Sequence, residues 1–124
     1  MPKSDFEKLK VYQLAERLAG EIWDAVMDWD QFARNTVGGQ IVRAADSIGA
    51  NIAEGSGRGS FQDNRRFIRM ARGSLKETQH FLRRAFKRKL LDEKHVRKIK
   101  PLTDNLAPML NGYLGSIGRV SDKA

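Results

Sequence analysis

The sequence predicts an all-α protein, an antiparallel up-down-up-down four-helix bundle. Three observations predict it. Apolar residues recur at helical spacing through four stretches of roughly two dozen residues each. Only short polar or glycine-rich connections separate these stretches. No segment shows the strict apolar–polar alternation of a half-buried strand. Helices of similar length joined by short connections pack beside their chain neighbours. A length of 124 residues suits one domain, so residues 1–124 read as a single bundle.

Helix one is expected over about Leu9 to Trp29. Val11, Tyr12, Ala15, Leu18, Ala19, Ile22, Trp23, Val26 and Trp29 fall on one face at about 100° per residue. Trp23 and Tyr12 are expected in the core, with Trp29 at the bundle end. Helix two is expected over about Thr36 to Glu54, with Ile41, Ala45, Ile48 and Ile52 as a narrow apolar stripe. Ala44, Gly49, Ala50 and Ala53 are small enough for a neighbouring helix to approach closely. Gln40, Ser47, Asn51 and Glu54 share another face, as a solvated row or a hydrogen-bond network, within the subunit or between subunits.

The run Gly55-Ser56-Gly57-Arg58-Gly59-Ser60 ends helix two, since glycine suits the left-handed cap. Ser60 with Asp63 resembles a capping box that opens helix three. That helix is expected over about Phe61 to Lys89, with Phe67, Ala71, Leu75, Thr78, Leu82, Ala85 and Phe86 inward. Helix four is expected over about Asp92 to Ile117, with Val96, Ile99, Leu102, Leu106, Met109, Leu110, Tyr113, Leu114 and Ile117 inward. Pro101 and Pro108 oppose it, because an interior proline costs a helix about 3 kcal/mol. Both fall opposite the apolar arc, where a helix can bend around its core; a helix that restarts at Pro101 is the other reading. The tail 119–124 is expected to fray.

Charge is concentrated. The chain carries 23 Lys and Arg against 15 Asp and Glu, a net charge of +8. Fourteen of those cations and three of the anions lie in residues 65–100, so an electrostatic function belongs there. The absence of cysteine excludes a disulfide framework, thiolate zinc sites and a cysteine nucleophile. No signal-peptide core opens the chain, and no run approaches the ~18 apolar residues of a membrane span. A cytoplasmic protein with no membrane partner is expected.

The segment Gly39-Gln40-Ile41-Val42-Arg43-Ala44-Ala45-Asp46-Ser47-Ile48-Gly49-Ala50-Asn51-Ile52-Ala53-Glu54-Gly55 looks like a family signature. It continues through Gly57-Arg58-Gly59-Ser60 and Phe67-Ile68-Arg69-Met70-Ala71-Arg72-Gly73-Ser74. Together these resemble the four-helix-bundle proteins of intervening sequences in bacterial 23S ribosomal RNA genes. Accessory variability proteins of diversity-generating retroelements are related to them. The resemblance covers about residues 6–118. It implies a protomer that assembles into a homopentameric, barrel-like ring. For the accessory variability members it implies nucleic-acid binding through basic surfaces and a reverse transcriptase partner. After Gly73-Ser74 the family usually carries an acidic stretch; here Leu75-Lys76-Glu77-Thr78 puts a lysine there.

Arg65, Arg69, Arg72, Lys76, Arg83 and Lys87 are spaced four, three, four, seven and four apart. At about 100° per residue they fall within a ~60° sector, along about 33 Å of helix. Arg66, Arg84, Arg88 and Lys89 flank the stripe, and Lys94, Arg97, Lys98 and Lys100 extend the charge past the turn. A solvated face usually mixes signs, because like charges one turn apart repel. Here only Glu77 interrupts the run within helix three, so a polyanion is the expected source of countercharge. Contact with the phosphate backbone of RNA or DNA is expected, with little base readout. Neutralising about five phosphates of a duplex gives a log K against log salt slope near −4.5. The nearest aromatic candidate is Phe81, so base stacking is not strongly indicated.

Other constellations fail. The glycine-rich turn lacks a phosphate loop's Gly-Lys-Ser/Thr ending and a preceding strand; an anion at the start of helix three, assisted by Arg58, stays an open alternative. His80 and His95 match no metal-binding pattern and are expected at the surface. No histidine or lysine base lies near Ser47, Asn51 and Glu54 in sequence. No catalytic residue, metal or cofactor is expected. The leading expectation is a non-enzymatic, oligomeric nucleic-acid-binding bundle; the alternative is a structural or adaptor protein that binds another protein.

Overall fold

A computed structural model of the protein describes residues 1–119. Among the described residues there is no strand, and four long helices form the architecture. They are α1 (Lys10–Met27), α2 (Gly39–Ser56), α3 (Phe61–Lys87) and α4 (Glu93–Ser116). α2 lies between α1 and α3, and α4 closes the bundle between α3 and α1.

Cross-helix pairs fix the directions. Gly38 and Gly49 of the second helical run lie against Val26 and Tyr12 of the first. Ser47 bonds Ser74, and Gly55 lies against Asn64 and Phe67. Arg65 reaches Ile117, and Arg72 reaches Asn111. In each pair of helices late residues meet early ones, so chain neighbours run antiparallel. The centre is dry and aliphatic: Leu18, Ile48, Ile52, Ile68, Leu106 and Leu110 have no exposed surface.

The helix ends differ from the sequence expectation in instructive ways. The second helical run starts at Gln31, not near Thr36. Asp30 caps it, its Oδ1 accepting from the Ala33 amide at 3.0 Å. A helical turn over Gln31–Ala33 and a π-helical turn over Arg34–Gly38 lead without a break into α2. Gly38 is needed there, because an added Cβ would meet Val26 Cγ1 at 2.9 Å and the Ala33 carbonyl at 3.1 Å.

At the start of α3, Ser60 Oγ accepts from the Asp63 amide at 3.1 Å. The Asp63 carboxylate turns to Arg66 Nε, 3.6 Å away. α3 ends at Lys87, two residues short of the expected Lys89. Lys89 adopts φ +62°, and the amides of Lys89 and Leu90 bond the carbonyls of Phe86 and Ala85. This is a Schellman ending with lysine in the position that favours glycine. α4 runs unbroken through Pro101 and Pro108, both exposed, so it does not restart at Pro101. Asp92 caps it by accepting from the His95 amide at 2.8 Å.

Two apolar side chains expected inside are not: Trp23 is 54% exposed and Phe86 57%. Ala50, small enough for a neighbouring helix to approach, is exposed. Trp23 lies one ~100° step beyond the buried Ile22, at the margin of the arc. Conversely, Ala25 and Ile68 are buried without having been expected there. Arg119 opens the tail that was expected to fray; residues 120–124 lie outside the described residues.

Candidate nucleic-acid interface

All six stripe residues lie on α3. Arg69, Lys76, Arg83 and Lys87 are exposed, as are the flanking Arg84 and Arg88. Arg65 and Arg72 are half-buried and lean onto α4. Arg65 Nη1 donates to the Ile117 carbonyl at 3.2 Å, and Arg72 Nη1 to Asn111 Oδ1 at 3.0 Å. Both acceptors are neutral, so these bonds orient the guanidinium groups without cancelling their charge. None of these eight cations has a carboxylate within 4.0 Å among the described residues.

Other cations behave differently. Arg58 pairs with Glu54 at 2.7 Å and lies 4.8 Å from the Phe67 ring centroid. Arg66 lies 4.5 Å from the same ring. Arg97 and Lys100, expected to extend the charge, pair with Glu93 at 3.8 Å and Asp104 at 2.7 Å. The extension of the charge onto α4 is thus partly neutralised, whereas the eight cations of α3 and its C-terminal end carry no carboxylate partner among the described residues.

A groove runs between α3 and α4 beside the stripe. Its first reach, about 490 Å³, is lined by Arg69, Arg72, Gly73, Leu75, Lys76, Gln79, Ala107 and Asn111. Gln79 also lines a second reach of about 580 Å³ with Leu82, Arg83, Phe86, Leu91, Val96, Ile99, Lys100, Thr103 and Asp104. Sequence reasoning missed Gln79, Asn111 and Phe86. Phe86 sits at the edge of the apolar arc close to the end of α3, which is the available signal that its ring would be only partly covered.

The polar row of α2 does not converge on a site. The Ser47 hydroxyl donates to the Ala44 carbonyl at 2.8 Å and shares a hydrogen bond of 2.7 Å with Ser74. Asn51 Nδ2 donates to the Ser47 carbonyl at 2.8 Å. Glu54 turns outward to Arg58, and Gln40 is exposed far along the helix. The buried Thr78 hydroxyl donates to the Ser74 carbonyl at 2.7 Å. Ser47 and Asn51 thus belong to the seam between α2 and α3.

The signature run acquires a physical meaning here. A Cβ on Gly55 would meet Asn64 Oδ1 at 2.6 Å and the Asn64 carbonyl at 3.1 Å. One on Gly49 would meet Glu16 Oε1 at 2.7 Å. The glycines let α3 and α1 approach α2 closely, and Ser47 stitches the seam. A family model described as 23S rRNA-intervening sequence protein matches residues 7–112. The chain belongs to this family. A comparison with curated proteins finds no match. Within the Ser47–Gly55 run, Ile48, Gly49, Ile52 and Gly55 are buried and Ser47 bonds across to α3, while Ala50 and Glu54 face outward.

Among the described residues, no group of three or more His, Cys, Asp or Glu is placed to hold a metal ion. Nor is any helix long and apolar enough to cross a membrane. Among the described residues, Tyr12, Asp46 and Asp92 are shifted from their ordinary values, and none lines the groove. Burial raises Tyr12, with the Glu16 charge adding to it. Burial raises Asp46. The His95 amide bonded to Asp92 lowers that carboxyl. His80 is exposed, its ring 5.1 Å from that of Phe81. His95, expected at the surface, is wedged between Asp28 and Asp92 at 3.7 and 3.0 Å.

Proposed function

We propose that this protein binds nucleic acid through its phosphate backbone, using Arg65, Arg69, Arg72, Lys76, Arg83, Arg84, Lys87 and Arg88. One observation carries the proposal: these cations share one helix and its end, and none has a carboxylate partner within the chain's described residues. Like charges one turn apart repel by a few tenths of a kcal/mol per pair. A polyanion relieves that repulsion and gains further from counterion release. The chemistry is charge neutralisation, with no covalent step. Replacing Arg69, Arg72, Lys76 and Arg83 together with glutamine tests it. RNA and DNA binding should disappear near physiological salt while the fold survives. Equal binding by the quadruple variant would remove the assignment.

Self-association into a ring is the second part of the proposal. Its support is an apolar patch on the outer face of α1. Trp23 and Met27 are half-exposed or more, and Gly20 beside them has open space above its Cα. Phe32, 78% exposed, lies just beyond. A ring would multiply weak phosphate contacts through avidity. Mass measurement in solution should give an oligomer for the native protein and a monomer for Trp23→Glu with Met27→Glu. The resemblance further suggests a reverse transcriptase as protein partner, which co-purification tests. A protein-binding adaptor is the competing reading, favoured if neither RNA nor DNA is retained.

A further inference from the structure

The α3–α4 groove holds a feature that phosphate binding alone does not use. Ile68 and Phe86 are 18 residues apart, five full helical turns, so they point in the same direction from α3. Ile68 has no exposed surface, whereas Phe86 is 57% exposed. The same face of α3 is thus sealed at Ile68 and partly uncovered at Phe86. The opening there is the reach of about 580 Å³ that Phe86 shares with Leu82, Leu91 and Val96. Apolar surface is thus left in water within the size range of a ligand site. Arg83 lines the same reach, one helical turn before Phe86. Arg69, Arg72 and Lys76 line the adjoining reach. Lys100 and Asp104 on the opposite wall neutralise each other, so the net charge of the groove comes from α3.

We propose that the groove takes a single nucleic-acid strand, its phosphates on Arg69, Arg72, Lys76 and Arg83 and one unpaired base stacked on Phe86. This rests on the nucleic-acid reading above and names the form of nucleic acid. A duplex covers the faces of its bases by stacking and offers only its phosphate edge to such a groove. An unpaired base presents a free π-face, and every base has one, so stacking on Phe86 carries no sequence preference. Gln79, at the junction of the two reaches, stands where its amide can meet the edge of that base or a sugar hydroxyl. Arg83, which lines the same reach as Phe86, supplies a positive charge for the phosphate of the stacked nucleotide.

The test compares a fluorescein-labelled oligodeoxythymidine with a mixed-sequence duplex of equal length, by anisotropy at one fixed salt concentration. The proteins are the full chain and its Phe86→Ala, Phe86→Leu and Phe86→Trp variants. Alanine and leucine should each weaken single-strand binding about tenfold, the loss of one base–aromatic stack. Duplex binding should stay within twofold of the native value. Tryptophan should restore single-strand affinity, and its added fluorescence should be quenched on binding. Leucine with native affinity overturns the proposal, because an apolar contact then suffices. So does equal weakening toward strand and duplex, or a change of oligomeric mass in place of a change in affinity. Native protein that fails to bind the oligodeoxythymidine overturns it too. If the four-glutamine variant loses both ligands while all Phe86 variants bind normally, backbone binding stands and the stacking site falls.

Discussion

Replacing Gly55 with alanine should destabilise the protein, although alanine is the better helix former. The new Cβ would lie 2.6 Å from Asn64 Oδ1, 3.0 Å from Phe67 Cβ and 3.1 Å from the Asn64 carbonyl. The first contact is a side chain that can turn away. The other two are the Cβ and backbone of α3, which move only with the helix. Overpacking of this kind costs about 1–3 kcal/mol, while glycine-to-alanine in a helix returns about 1 kcal/mol. The backbone contact puts the cost toward the upper end, for a net loss of about 1–2 kcal/mol. A chain of 124 residues unfolds with roughly 0.26 kcal/mol per kelvin of entropy. The melting temperature should therefore fall by about 4–8 °C. Calorimetry at fixed protein concentration reads this directly, with Gly112→Ala as the control. Nothing lies within 4 Å of a Cβ placed on Gly112, so that variant should gain up to about 1 kcal/mol from propensity. Gly55→Ala that melts as high as Gly112→Ala would refute the account of the α2–α3 seam.

Further expectations follow from the helix ends and from acid. Lys89→Gly should raise stability by about 1 kcal/mol, since lysine pays the left-handed penalty that glycine avoids; urea titration should show the gain with m unchanged. Asp30→Ala should cost about 1 kcal/mol by removing the cap on the Ala33 amide, again read from urea midpoints. The Asp92 carboxyl is held below the ordinary range by the His95 amide. Its contribution to stability is present above the unfolded value of about 3.9 and is lost as pH falls through the lower folded value. Asp92→Asn should therefore flatten part of the acid limb of a stability–pH profile and leave the neutral-to-basic limb parallel to that of the native protein.

Much of the fold is legible in the sequence because helical periodicity is averaged over many residues. Between four and nine apolar positions define each inward face, and a single misplaced residue does not erase the pattern. Legibility fails where one residue decides. Asp30 caps a run that starts before the periodicity does. Lys89 takes a conformation that its side chain gives no reason to expect. Trp23 and Phe86 sit at the margins of their arcs, where only the position of a neighbouring helix decides between core and water. The prolines of α4 were legible, since their place opposite the arc follows from spacing alone. On the site, the alignment of the cations along α3 is written in their spacing. The pairing of Arg97 with Glu93 and of Lys100 with Asp104 turns on rotamers at an exposed face, which a spacing of four residues permits without requiring. For the polar residues of α2, spacing alone leaves a solvated row and a hydrogen-bond network both open; only the position of Ser74 on the neighbouring helix shows that Ser47 bonds across a seam.

The salt dependence of nucleic-acid binding tests the central claim most directly. With about five phosphates neutralised, log K should fall with log salt at a slope near −3.5 for a single strand and near −4.5 for a duplex. Glutamine at Arg69, Arg72, Lys76 and Arg83 removes up to four of those contacts and should bring the slope to about −0.7 for a single strand and about −0.9 for a duplex. A native slope near zero, or an unchanged slope in the variant, would contradict phosphate binding by α3.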